Sequence, residues 1–200
     1  EIIDTYGLDP LRYYLIKEVS FGNDGNISND KLEDCINSDL ANNFGNLCQR
    51  VTAFNEKNCS QMIPEKINFE SEDLAILNRF TENYKSIEIE LDKQNLNFYI
   101  KFIINSLFDA NKYFNDQEPW KKKNDKARLN TIVYTALEVI RKVSIMLYPI
   151  IPDSSLKALK IFNIMENDIK FDSIRNHNFL KVGDKINKVG LLFKKIEKND

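Results

Sequence analysis

Apolar residues recur along most of this chain at steps of three and four, the spacing that gathers them on one face of an α-helix. Asp9 followed by Pro10 reads as a helix start, with Asp9 as the cap and Pro10 at the first helical position, and "PLRYYLIKEV" follows as a short helix. "FGNDGNIS" reads as a turn, with Gly22 and Gly25 supplying flexible backbone and Asp24 as a turn residue. Ser28 then caps a helix running from about residue 29 into the mid-fifties, whose core stripe is Ile36, Leu40, Phe44, Leu47, Val51 and Phe54. "SQMIPEKINFE" is a connector broken by Pro64, and Ser71 caps a third helix expected to reach about Leu91.

"NLNFYIKFIINSLFDANKYF" is a fourth helix, apolar almost all round, and is expected deepest in the bundle. "NDQEPW" stops it. Asp125 opens a fifth, "KARLNTIVYTALEVIRKVSIMLY", which "PIIP" ends. Asp153 or Ser154 caps a short last helix through Phe162. From Glu166 onward the pattern changes: "VGDKINKVGLLF" has two glycines and short alternating runs, which predict a small hairpin or an extended strap across the bundle. The expected fold is all-α, a helical bundle with a short irregular or hairpin-like C-terminal tail.

Composition narrows the functions open to such a bundle. The chain has 200 residues, 42% of them hydrophobic, and a formal net charge of -2. A protein that clamps long stretches of phosphate backbone carries a strong basic excess; any nucleic-acid contact here should be local and directed at bases. No apolar run reaches the ~20 residues that span a bilayer, and no signal-peptide pattern opens the chain. Cys35, Cys48 and Cys59 follow no metal spacing and read as reduced thiols of a cytosolic protein. The only histidine, His177, sits in the polar stretch "RNHN"; a zinc site would need more ligands, and any Cys–His nucleophile would depend on this one residue. The chain begins with Glu1 and enters a helix almost at once, which reads as a segment of a longer protein.

Two features carry candidate chemistry. In "NNFGNLCQR", Asn42, Asn46 and Arg50 are four residues apart and, at 100° per residue, lie roughly 130° round from the Leu40–Phe44–Leu47–Val51 line. Asparagine is a mediocre helix former. Two amides and a guanidinium on one line offer the donors and acceptors that match the edge of an unpaired base, although a solvated polar face has the same spacing. The second feature is "EPWKKK". Trp120, the only tryptophan, stands at a helix break with three lysines after it, either as a stacking platform for a base or as a plug in the end of the bundle.

These residues resemble a known family. "DTYGLDPLRYYLIKEVSFGNDGNIS", "DLANNFGNLCQR", "EPW", "LYPIIPDSS" and "GLLFKKIE" are similar, in this order, to the C-terminal part of bacterial methionyl-tRNA synthetases, which are class I aminoacyl-tRNA synthetases. "YG-D-LR" and the proline-rich helix end recur across the related class I enzymes; "FG-DG-IS", "N---NL--R" and "EPW" point to the methionine enzyme. Pro10 stands where the family usually has Ala, and Ile27 where it often has Phe. The resemblance implies an anticodon-binding bundle of the class I type. In it Asn46 and Arg50 contact anticodon bases, Asn42 supports them, and Trp120 stacks on the first base of a CAU anticodon.

The same resemblance implies methionine tRNA, initiator and elongator, as partner, and a catalytic domain in the same polypeptide that uses ATP. For these residues themselves it implies no catalytic group, no metal and no cofactor; Asp9, Asp24 and Glu118 read as cap, turn and loop-anchoring residues. Residues 1–28 are expected to form a linker contacting the tRNA stem, 29–165 the bundle, and 166–200 an extension packed on it, in a cytoplasmic monomer. Three rival readings remain: the anticodon domain of another class I synthetase, a helical interaction module with no RNA partner and, last, an independent enzyme using Cys48 and His177.

Overall fold

The computed structural model describes residues 2–19, 25 and 27–197. The turn expected over "FGNDGNIS", including Gly22 and Asp24, lies largely outside the described residues. Two short helices, α1 (Ile2–Tyr6) and α2 (Leu8–Glu18), come first. A long helix follows in three parts: α3 (Asn29–Cys35), a π-helical segment (Ile36–Gly45) and α4 (Asn46–Asn58). Then come α5 (Ser71–Glu82), α6 (Tyr84–Asp92), α7 (Leu96–Asp116), a 3-10 turn (Pro119–Lys121), α8 (Lys126–Leu147) and α9 (Pro152–Leu159). Among the described residues no helix is long and apolar enough to cross a membrane.

The centre of the bundle is α8, not α7. Every residue from Thr131 to Leu147 is buried, because α4, α5, α7, α9 and the tail pack around it. One face of α7 stays open to solvent, with Lys101, Asn105 and Phe108 outward-lying or half-exposed. The cause lies in the polar residues of α8. Glu138, Arg141 and Lys142 would ordinarily face water, but the tail covers them and satisfies them. Arg141 donates to Glu138 at 2.8 Å and to the carbonyls of Ser173 and Asn176, while Lys142 donates to the carbonyls of Ile174 and Asn176.

Helix starts follow the sequence where the cap is local. Asn95 accepts from the Phe98 N–H at 3.2 Å and Asp125 from the Arg128 N–H at 3.0 Å. They depart from it elsewhere. Asp9 does not cap its own helix, which starts after Gly7. Its buried carboxylate reaches the other end of the chain and accepts from the Ser154 N–H at 2.7 Å, so it caps α9. Ser154 and Asp153 therefore lie inside the first turn of α9. Arg12 makes the matching contact at the end of α8, donating to the carbonyls of Pro149 and Ile150. Thus "YG-D-LR" and "LYPIIPDSS", far apart in sequence, form one joint. Glu70, not Ser71, caps α5: its N–H donates to Asp73 at 2.9 Å. The expected helix to Leu91 breaks at Asn83, whose side chain takes the Arg79 carbonyl.

Beyond α9 the chain is a strap of short 3-10 turns (Lys160–Phe162, Glu166–Asp168, Phe171–Arg175) and extended backbone. No hairpin forms among the described residues. The strap pairs instead with the Pro64 connector through a single bridge, Met62 with Lys185. It then crosses the long helix, where Phe193 meets Phe44 with ring centroids 6.4 Å apart. The side-chain amide of Asn37 exchanges two hydrogen bonds with the backbone of Ile196.

Candidate nucleic-acid interface

The sequence places Asn42, Asn46 and Arg50 on one line, and the structure brings all three to the wall of one groove of about 450 Å³. The π-helical segment contributes to this. In an α-helix a four-residue step overshoots a full turn by roughly 40°, whereas the wider i→i+5 turn holds more than four residues, so that the same step falls a little short of a full turn. Asn42 lies in the π segment and Asn46 opens the α-helical part, so they stay aligned. The inner side of the segment obeys the same rule: Ile36, Leu40 and Phe44 are all buried. Asp39, also buried, ties the segment to α2 by accepting from Tyr13 at 3.1 Å and Lys17 at 2.8 Å.

The opposite wall is α7. Ile104, Phe108, Asn111 and Asn115 recur at steps of four, three and four and face the stripe. Asn111 donates to the side-chain oxygen of Asn43 at 2.7 Å, and Arg50 donates to that of Asn115 at 2.6 Å. These two rungs show that the helices run in the same sense along the groove. The Arg50 fork is held on one side by Asn115 and below by the Phe114 ring, 5.7 Å from its centroid. One of its five N–H donors is used on Asn115. Asn111 gives its amide N–H groups to three carbonyl oxygens, and its own oxygen has no partner among the described residues.

Trp120 does not line the groove. It stands at the Arg50 end, 40% exposed, with its ring edge-on to Phe114 at 6.3 Å. Phe114 in turn packs edge-on to Phe54. Arg50, Phe114 and Trp120 therefore form one contiguous chain. The turn that carries Trp120 starts at Glu118, in the left-handed region at φ 44°, and Pro119 follows. Glu118 pairs with Lys121 at 2.8 Å. Below the turn, Arg128 donates to Gln117 and to buried Asp73, and Tyr113 donates to the same Asp73. The reading of "EPW" as a loop found the tryptophan but not this support. Asn43, Asn105, Phe108, Asn111, Asn115 and Arg128 were missed as well. Three of these are asparagines on α7, whose apolar content masked a polar face.

A Cys–His centre does not form. Cys48 is fully buried and burial pushes its thiol far up; burial and Asp39 push Cys35 up to about 12, against a partial offset from Lys17. The His177 ring lies against Asn78, Thr81 and Lys142.

Comparisons with known proteins identify the family and the fold. Residues 63–200 match the family model described as the anticodon binding domain of methionyl tRNA ligase, and residues 1–52 match that of class I tRNA synthetases (M). The groove thus draws its first wall from one match and its second wall, with Trp120, from the other. In class, this is a helical anticodon-binding bundle of a class I tRNA synthetase. Among relatives, the methionine–tRNA ligase of Brucella suis is 38% identical over 175 residues, covering 87% of this chain and 34% of its own length. That of Thermotoga maritima is 36% identical over 200 residues, covering 99% and 32%. The free-state structure of Mycobacterium tuberculosis methionyl-tRNA synthetase superposes with a TM-score of 0.91 at 30% identity, over 99% of this chain and 41% of that one. The chain belongs to the methionyl-tRNA ligase anticodon-binding family, and it spans about a third of the length of the relatives it matches.

Proposed function

We propose that this bundle reads the CAU anticodon of methionine tRNA, initiator and elongator alike. The observation that carries the reading is the joining of the Asn42–Asn46–Arg50 line and Trp120 through Phe114 at one end of one groove. Cytosine presents an amino donor and two acceptors; asparagine oxygens accept from the first, and asparagine amides and the Arg50 fork donate to the others. The Trp120 face stacks on the same base. Residues 1–28 join the bundle to a catalytic domain of the same polypeptide and touch the tRNA stem. The whole protein attaches methionine to its tRNA with ATP, as a cytoplasmic monomer. None of the residues in this chain takes part in the ATP step.

The test is binding to two short hairpin RNAs with the same stem, one with a CAU loop and one with GAU, for wild type and Trp120→Ala. A clear preference for CAU that the substitution reduces is expected. Equal binding of both loops by the wild type, or a preference for GAU, would refute the reading.

A further inference from the structure

We infer that Phe108 is a second stacking platform, which takes the third anticodon base at the end of the groove away from Trp120. The inference rests on the anticodon reading above and extends it to a residue outside the Asn–Arg line.

Phe108 is 64% exposed, more than Trp120, and lines the groove with Asn42, Asn46 and Arg50. Among the described residues its ring has no aromatic or cation partner, unlike Phe102, Phe114 and Phe171 of the same bundle. A single exposed apolar residue needs no explanation by itself. This one stands in a wall where helix α7 also carries Ile104 and three asparagines, Asn105, Asn111 and Asn115. Polar edges beside a bare ring are what an unpaired base requires: hydrogen bonds in its plane and an aromatic surface on its face.

Position along the groove decides which base. The two helices run in the same sense, Asn43 facing Asn111 and Arg50 facing Asn115. Phe108 is one turn before Asn111 and so lies toward the Asn42 end. Trp120 lies past Asn115, at the Arg50 end. From Phe108 to Asn115 is seven residues, roughly 10 Å of helix, and Trp120 lies further on, so the two rings stand farther apart than neighbouring stacked bases at ~3.4 Å per step. With the first base on Trp120, the third falls on Phe108, and the asparagines lie between.

The experiment measures binding of the CAU hairpin, intact or abasic at the first or third anticodon position, to wild type, Phe108→Ala, Phe108→Tyr, Phe108→Leu and Trp120→Ala. Phe108→Ala should weaken the intact hairpin about tenfold, in the range for one base–aromatic stack. It should leave binding of the third-position abasic hairpin unchanged, because the partner is already gone. Phe108→Tyr should keep wild-type affinity and Phe108→Leu should not. Trp120→Ala should show the same pattern with the first-position abasic hairpin. The inference is overturned if Phe108→Ala has no effect, if it weakens intact and third-position abasic hairpins equally, or if leucine serves as well as phenylalanine. An effect of Trp120→Ala without one from Phe108→Ala sinks the second platform and leaves the anticodon reading standing. Equal binding of CAU and GAU loops by wild type overturns both.

Discussion

Glu138→Gln tests how the tail is fastened to the central helix. Glu138 is fully buried. One carboxylate oxygen accepts from Arg141 Nε at 2.8 Å; the other accepts from the Leu180 N–H at 2.8 Å and the Tyr134 hydroxyl at 3.4 Å. Glutamine has the same shape but only one acceptor oxygen. Its NH₂ must face either Arg141 or Leu180, donor against donor, and the Arg141 charge is left without its counter-ion. A lost hydrogen bond to a charged group costs ~1.5–3 kcal/mol and a stranded buried donor ~1–3 kcal/mol. Breaking a buried ion pair costs about 3–5 kcal/mol when measured directly. The two routes agree on about 3–5 kcal/mol. At about 2 kcal/mol per molar urea, the unfolding midpoint should fall by about 1.5–2.5 M. Because these bonds hold the strap, limited proteolysis between residues 166 and 190 should speed up under native conditions, ahead of global unfolding. Replacing both Glu138 and Arg141 by leucine should not restore stability, as it does for many buried pairs, because the Leu180 N–H then has no partner. A loss below about 1 kcal/mol for Glu138→Gln, or full recovery in the double leucine variant, would refute this account of the clamp.

Burial and the neighbouring Arg141 push the Lys142 ammonium down to about 7, and burial with Lys142 holds His177 below its ordinary value. The unfolded chain then binds more protons than the folded one, so stability should rise from about pH 7 toward 10 and fall as pH drops through the ordinary histidine range. Lys142→Met should flatten the slope above pH 7 in urea midpoints measured against pH, and an unchanged slope would remove Lys142 from this role. Arg50→Lys should weaken the CAU hairpin by about 2 kcal/mol, because a point charge replaces a planar fork, while changing stability by less than about 1 kcal/mol; equal binding by the lysine variant would argue against base-edge recognition. Asp9→Ala should destabilise the fold by about 2 kcal/mol, the upper end for an N-cap, since the Ser154 N–H it serves is buried; a change below about 0.5 kcal/mol in thermal or urea unfolding would show that another group caps α9.

Much of the bundle was legible because helix signals are local. Asp125 caps the helix it precedes, and Pro119 and Pro149 follow the ends of the ones before them. What the sequence hid depended on distant partners. The carboxylate of Asp9 looks like a local cap, and nothing near it says that its donor is Ser154. The charges of α8 make it look amphipathic until the strap supplies carbonyls for Arg141 and Lys142. The Asn42–Asn46–Arg50 line was visible as spacing, but its facing wall was not, because Asn105, Asn111 and Asn115 are scattered among the large apolar residues of α7. The π-helical segment has no sequence signature that periodicity at 3.6 residues could detect.

That segment links the hidden features to the visible one. A run of i→i+5 turns is rare and needs outside support. Asp39 supplies it from within, held by Tyr13 and Lys17 of α2. The strap supplies it from without, through Phe193 on Phe44 and the paired bonds of Asn37 with Ile196. Gly45 closes the segment where the strap crosses; a Cβ there would meet the Leu40 carbonyl at 3.2 Å and the Phe193 ring at 3.7 Å. The glycine of "NNFG" therefore leaves room for a close approach of helix and strap, and the tail beyond α9 is part of what aims Asn42 into the groove. Contacts from residues 13 to 196 thus hold in place a line of three side chains that the sequence shows within nine residues.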